Sequence, residues 1–233
     1  MSSNIELANL IFPKVNLTIE DLKNKYPERN LIEGAKVTRY APSPTGFLHT
    51  GSLFTSLVAY KIARDTKGVF YTRLEDTDTK REIEGSGEHL INQLKEFDIV
   101  PNEGYLGNKE EGNYGPYKQS LRKDIYEIVI KEMLIKGLAY PCFASEEELA
   151  LLREKQTALK ENTGYYGKYA IYRNLSVDEA IKLIKEGKPY VIRFRSSGNH
   201  LNKIKVHDEI RGDLEISEND QDIVIMKSDG LPT

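Results

Sequence analysis

Apolar positions along this chain switch between two spacings, and the switches mark out its elements. Lys36 to Ala41 alternates as a short strand does, Pro42 and Pro44 end it, and from Ser52 onward Leu53, Leu57 and Ile62 recur at helical spacing. Gly68 lies beyond that helix, and Val69 to Glu75 reads as the next strand. Strand, crossover helix and strand make a right-handed parallel unit, so residues 41–52 and 73–78 are expected at the same carboxyl edge of one sheet.

Further along, Leu90, Ile91, Leu94 and Phe97 predict a helix from about Ser86, and Pro101 to Gly115 reads as a long surface loop studded with glycine. Ser120 is expected to cap a helix that turns Leu121, Ile125, Ile128 and Val129 inward and ends at Gly137. Ala139 to Phe143 suits a strand, and Ser145 with Glu148 and Ser176 with Glu179 form capping boxes for two more helices, the second running to Gly187. Tyr190 to Arg195 and segments near Ile204 and Leu214 read as strands, a mixture expected of an inserted α+β domain. The run Asp222-Ile-Val-Ile-Met226 reads as a strand covered on both faces of a parallel sheet and returning to the first domain.

At the amino end, Thr18 caps a predicted short helix with acidic residues in its first turn, ended before Pro27 and expected to pack on the main domain. Asn9 interrupts and Pro13 stops the apolar residues Leu7, Leu10, Ile11 and Phe12, so neither a signal peptide nor a membrane span is expected, and the protein is placed in the cytoplasm. A single cysteine excludes an internal disulfide. The net charge of -3 exerts no global pull on nucleic acid. Locally the picture changes: between Ile181 and Val206 stand Lys182, Lys185, Lys188, Arg193, Arg195, Lys203 and Lys205 with Glu186 as the only acid. Such a run is either a solvated face or a phosphate-binding one.

The chemistry concentrates at the first sheet edge. His49 and Gly51 fall where strand passes into helix, and the free N–H groups and dipole of a helix start attract anions there, with a histidine as an added donor. A lone histidine in a polar turn is equally well a solvated residue. Arg39 is suited to hold a carboxylate through its planar fork, and Glu75 to hold an amino group; the plainer alternative is that the two pair with each other across neighbouring strands.

Taken together, Ala41-Pro-Ser-Pro-Thr-Gly46, His49-Thr-Gly-Ser52 and Arg73-Leu-Glu-Asp-Thr-Asp78 resemble the opening motifs of class I aminoacyl-tRNA synthetases of the glutamyl kind. The second resembles the His-Ile-Gly-His signature of that class, with Thr and Ser at its second and fourth places. Gly115-Pro-Tyr-Lys-Gln-Ser120, Asp208-Glu-Ile-Arg-Gly212 and Met226-Lys-Ser-Asp-Gly230 extend the resemblance over residues 36–233.

The resemblance implies an α/β fold: the first half of a Rossmann-type parallel nucleotide-binding domain over 36–118, an inserted α+β domain for the tRNA acceptor stem over 119–220, and the start of the second half over 221–233, preceded by an extension over 1–35. It implies ATP, with Mg2+, L-glutamate and tRNA(Glu) as substrates and partners, in a monomer that makes glutamyl-adenylate and passes the glutamyl group to the terminal ribose. By the same resemblance His49, Gly51 and Ser52 serve catalysis, and Pro44, Thr45 and Gly46 join His49 and Gly51 around ATP. Arg39, Ala41, Ser43 and Glu75 line the glutamate pocket, Asp78 and Arg81 lie near the terminal adenosine, and the seven basic residues of 182–205 meet the acceptor stem.

Two other readings stay open: a shorter paralogue that glutamylates a modified tRNA base, of the glutamyl-queuosine type, and a non-catalytic RNA-binding half-synthetase. Some relatives carry zinc in the insertion, but Cys142 alone supplies no closed ligand set, so no zinc is expected and Cys142 reads as a small buried residue. The sheet is half built at Thr233, and the natural chain is expected to continue through the rest of the catalytic fold to a helical anticodon-binding domain, leaving these 233 residues inactive alone.

Overall fold

The computed structural model describes residues 2–233. In chain order its elements are α1 (Ser2–Ile11), α2 (Ile19–Lys25), β1 (Val37–Tyr40), α3 (Thr50–Asp65), β2 (Val69–Thr72), α4 (Ser86–Glu96), β3 (Glu103–Tyr105), β4 (Glu110–Glu111), a 3-10 turn (Gln119–Arg122), α5 (Lys123–Ile135), β5 (Ala139–Cys142), α6 (Glu146–Ala158), α7 (Val177–Lys185), β6 (Val191–Phe194), β7 (Lys203–Asp208), β8 (Gly212–Ser217) and β9 (Val224–Met226). They fall into two compact units: Leu17–Tyr126, and the residues up to Asn16 together with Glu127–Thr233. The amino-terminal extension is therefore not one body but is divided between the two.

The unit Leu17–Tyr126 is built on a sheet of order β1-β2-β3-β4. The first three strands run parallel, and β4 turns back antiparallel. As expected, α3 joins β1 to β2, which pair in register from Val37↔Val69 to Tyr40↔Thr72. The helix turns Ser56 and Ala63 fully inward, and these small residues let it lie close over the sheet. Of the three apolar positions read from the spacing, Leu53 packs against the core, while Leu57 and Ile62 stay 45% and 43% exposed. Below it Tyr40, Phe70, Leu74, Ile91, Leu94, Ile99 and Tyr117 form a continuous core.

Two expectations need correction here. The stretch 101–115 is not a structureless loop, because β3 and β4 lie inside it. Gly104, at φ 118°, lets β3 approach β2 so closely that a Cβ there would stand 2.2 Å from the Thr72 carbonyl oxygen. Nor does Ser120 cap a helix: it sits within the 3-10 turn before α5, and its N–H and hydroxyl donate to the Asp76 carboxylate at 2.8 and 2.6 Å. Correspondingly, α5 buries Ile128, Ile130 and Leu134, while Leu121 is left 60% exposed.

In the other unit β5, β6 and β9 form an antiparallel sheet, and β7 and β8 a separate hairpin. The capping boxes of α6 and α7 form as read, and Leu7 from α1 packs with Phe143, Ala180 and Ile181. The expectation of a parallel, doubly covered strand at 222–226 is not met: β9 pairs antiparallel with β6, because an apolar run of this length does not by itself select its partner. Asp222 is instead the polar centre of the unit. Its buried carboxylate accepts from the Tyr140 hydroxyl at 2.6 Å and the Ser196 N–H at 2.9 Å and pairs with Arg173, while its carbonyl accepts from Arg193 at 2.7 Å. Burial, reinforced by Asp222, drives the Tyr140 hydroxyl pKa far up. Among the described residues no helix is long and apolar enough to cross a membrane.

Removing one partner of a buried ion pair costs about 3–5 kcal/mol, because the other charge is stranded. Asp222→Ala should lower the stability of this unit by that order, read as a fall in urea midpoint; an unchanged midpoint would show that Arg173 and Tyr140 find other partners.

Candidate functional site

The parallel register sends the chain out of β1 and β2 at the same edge, and the segments that follow are stitched together by backbone. Arg73 N–H donates to the Tyr40 carbonyl at 3.1 Å, Glu75 N–H to Pro42 at 2.8 Å, and Ile83 N–H to Pro44 at 2.8 Å. The Ser86 hydroxyl gives Pro44 a second donor at 2.8 Å. Pro42 and Pro44 are buried and hold this loop through their carbonyls, leaving Ser43 exposed between them. A cavity of about 430 Å3 opens here, lined by Tyr40, Ala41, Ser43, Thr45, Gly46 and His49 among others. Burial raises the Tyr40 hydroxyl pKa, against the pull of hydrogen bonds with Ser52 and Ser56.

His49 is the N-cap of α3. Its Nδ1 accepts from Ser52 N–H at 3.4 Å, while the Ser52 hydroxyl accepts from His49 N–H at 3.1 Å and donates to the His49 carbonyl at 2.9 Å. An accepting Nδ1 leaves the ring proton on Nε2, so the exposed imidazole keeps one donor for a ligand. Gly51 serves this ring directly, since a Cβ would lie 3.2 Å from both its Cε1 and Nδ1. His49, Gly51 and Ser52 thus act as one structure: a capped helix start with a histidine held over it.

Arg39 and Glu75 do pair, at 2.9 Å, but Glu75 is shared. The same Oε1 accepts from Arg73 Nε at 2.9 Å. Arg73 went unassigned in the sequence, and the register shows its place: Arg39 registers with Tyr71, and two residues on, the strand period returns Arg73 to the same face. One carboxylate between two guanidinium groups leaves a net positive charge, and Arg39 remains 38% exposed, so the cluster can still take an anionic group. Next to it Asp78 and Arg81 form an exposed ion pair at 2.5 Å.

The basic run does not converge as one face. Arg193 is buried, with its guanidinium 4.1 Å from the Tyr165 ring centroid and bonded to the Asp222 carbonyl. Arg195 stacks on Tyr140 and donates to the Arg173 carbonyl at 2.6 Å. Arg193 thus serves the protein interior, while the half-buried Arg195 is tied to protein groups at its edge. Lys182 and Lys185 stand on α7, Lys188 reaches the Tyr172 hydroxyl at 3.3 Å, and Lys203 and Lys205 lie on the β7–β8 hairpin. Cys142 is buried in β5, clustered with Tyr140, Tyr165 and Ala170. Among the described residues no group of three or more His, Cys, Asp or Glu is placed to hold a metal ion.

A histidine-capped helix and an arginine–carboxylate cluster thus stand at the carboxyl edge of a parallel α/β sheet, the edge at which open sheets of this kind bind ligands. The family of tRNA synthetases class I (E and Q), catalytic domain, matches residues 36–233, and the chain belongs to it. It is 54% identical over 228 residues to a glutamate–tRNA ligase of Clostridium perfringens (strain 13), covering 97% of this chain and 42% of that protein. That match takes in most of the amino-terminal extension. With the ligase of Bacillus subtilis (strain 168) it shares 45% identity over 197 residues, 84% of this chain and 39% of that one. A crystal structure of a glutamate tRNA ligase from Elizabethkingia meningosepticum, in complex with its amino acid, is similar at a TM-score of 0.73 and 38% identity, covering 86% of this chain and 40% of that chain. The chain spans about two fifths of the length of the curated relatives it matches.

A hydrogen bond of this kind contributes about 1 kcal/mol net. Ser52→Ala removes both hydroxyl bonds to His49 and should destabilise the unit Leu17–Tyr126 by about 1–2 kcal/mol in urea unfolding; no measurable loss would mean that solvent replaces the cap freely.

Proposed function

We propose that these residues form the amino-acid- and ATP-binding part of a glutamate–tRNA ligase. The observation that carries the reading is the shared carboxylate: Glu75 stands between Arg39 and Arg73 at the same sheet edge as the His49-capped helix. A substrate carboxylate is drawn to the exposed Arg39 and its amino group to Glu75, with Ala41 and Ser43 lining the cavity. ATP, as its Mg2+ complex, lies with its phosphates toward the start of α3, near Pro44, Thr45, Gly46, His49 and Gly51. The substrate α-carboxylate attacks the α-phosphate, pyrophosphate leaves, and the 2'-hydroxyl of the terminal ribose then takes the glutamyl group and releases AMP. Negative charge grows on phosphate oxygens in the first step, and a pre-placed Nε2 donor stabilises it without reorganising. The names of the relatives, and an Elizabethkingia structure solved with its amino acid, support this reading.

In the same proposal residues 36–118 are the first half of the catalytic fold and 119–220 the acceptor-stem insertion, with 221–233 opening the second half. Asp78 and Arg81 meet the terminal adenosine of tRNA(Glu), and the enzyme works as a cytoplasmic monomer. The RNA footprint narrows to Lys182, Lys185, Lys188, Lys203 and Lys205, because Arg193 is buried and Arg195 is held by the Arg173 carbonyl and the Tyr140 ring.

Three measurements test the proposal. Arg39→Ala should weaken L-glutamate binding at least about tenfold in calorimetry, as loss of a charge-assisted bond does, and unchanged affinity would remove Arg39 from the pocket. In the whole enzyme, His49→Ala should slow pyrophosphate exchange, assayed with tRNA present, by about 10²–10³ with little change in the KM for ATP. An unaltered rate would leave His49 only its capping role. Replacing the five lysines together should flatten the log–log salt slope for an acceptor-stem minihelix, by roughly 0.7–0.9 for each phosphate that is no longer neutralised. Arg193→Ala should lower stability and leave the slope alone; a minihelix that does not bind at low salt would sink the footprint.

A further inference from the structure

Residues 17–36, between α1 and β1, bury no side chain fully, α2 included. What holds them is polar and converges on the segment between β3 and the 3-10 turn. The Tyr26 hydroxyl donates to the Gly115 carbonyl at 2.8 Å, and the Tyr114 hydroxyl to the Pro27 carbonyl at 2.9 Å. Between them Arg29 lays its guanidinium over the Tyr114 ring, 3.8 Å from the centroid, and grips Glu103 with both terminal nitrogens. Arg29 and Glu103 are only 18% and 12% exposed, which makes this pair far less solvated than the surface ion pairs of the unit.

From Glu103 the connections lead to the candidate site. Glu103 also accepts from the Tyr117 hydroxyl at 3.1 Å, and Tyr117 is 2% exposed. Burial, with Glu103 adding to it, pushes the Tyr117 pKa up to about 12, so this hydroxyl stays a donor at neutral pH. The Tyr117 carbonyl accepts from Leu74 N–H at 2.9 Å, and the Leu74 carbonyl accepts from Gln119 N–H at 2.8 Å, so that Lys118 bridges Leu74 as an extra parallel strand would. Ser120 then holds Asp76 with two bonds. Leu74 and Asp76 are the residues on either side of Glu75. The segment is thereby bonded to both neighbours of the carboxylate, and at its other end the Tyr117 hydroxyl rests on the Glu103 carboxylate that Arg29 holds.

We propose that Arg29 is a positioning residue for Glu75: through Glu103 and Tyr117 it sets the segment 117–120, and with it the place of the carboxylate that receives the substrate amino group. This rests on the glutamate-binding reading above. Without Arg29 the Glu103 carboxylate is left nearly buried and unpaired, and the segment relaxes to hydrate it. Glu75 then drifts relative to Arg39, and a displacement of this kind is felt by the group Glu75 binds more than by the carboxylates that Arg39 binds.

The test compares L-glutamate with glutarate, which has the two carboxylates and lacks the amino group, by calorimetry on the 233-residue chain. Wild type should prefer L-glutamate, and Arg29→Met should lose about tenfold of that preference while glutarate binding is unchanged. Arg29→Lys keeps a charge opposite Glu103 but gives up the fork and the stacking, and should fall between the two while guarding against misfolding. In ligand-free amide spectra the Arg29→Met shifts should reach residues 74–78. Equal weakening of both ligands, or shifts confined to 26–30 and 103–117, overturns the proposal. A wild-type chain with equal affinity for both ligands overturns the glutamate reading instead, and the amide spectra, which need no ligand, still decide whether Arg29 is coupled to Glu75.

Discussion

Everything at the candidate site depends on β1 and β2 being parallel neighbours joined by α3. Parallel pairing delivers the ends of two strands to one edge, and the connecting helix must begin there as well. Three chemically different pieces therefore come to one edge from separate stretches of the chain: Arg39 at the end of β1, the capped start of α3, and Arg73 with the carboxylate of Glu75 after β2. The two prolines after β1 make the meeting rigid, since they present carbonyls to Glu75, Ile83 and Ser86. An antiparallel hairpin in the same place would have put Arg39 and Glu75 at opposite ends.

Electrostatics then divides the work. At the sheet edge Glu75 satisfies two arginines partly and leaves positive charge over, which lets the cluster attract an anionic group. Within the unit that carries β5, β6 and β9 the opposite holds: Asp222 is closed off, and Arg173, Arg193 and Arg195 each donate to a protein oxygen. The same residue types give a reactive cluster where solvent reaches them and a structural one where it does not. That is also why the basic run of 182–205 overstates the surface charge of this unit.

Much of the architecture was legible in local pattern. The strand–helix–strand unit, the capping boxes at Ser145 and Ser176, the short helix behind Thr18 and the helix from Ser86 each follow from spacing and cap chemistry that act over a few residues. The positions of His49, Gly51 and Glu75 at one edge followed from the handedness of crossovers. Less local features were hidden. Gly104 looked like a loop residue because turn propensity and close strand approach call for the same amino acid, and Arg73 looked like any strand residue until the register set Tyr71 opposite Arg39.

By itself, then, the sequence determined what depends on near neighbours and on the alternation of side chains: the helices, their caps, the parallel unit and the family to which residues 36–233 belong. Only the tertiary structure decided which partners distant residues would take. It paired β9 antiparallel with β6, drew Arg193 into the interior and bound Arg195 to the Arg173 carbonyl, gave Glu75 two arginines, and tied Arg29 to Glu103 across 74 residues. These choices rest on desolvation and packing, which are properties of the folded surroundings and leave no periodic trace in the chain.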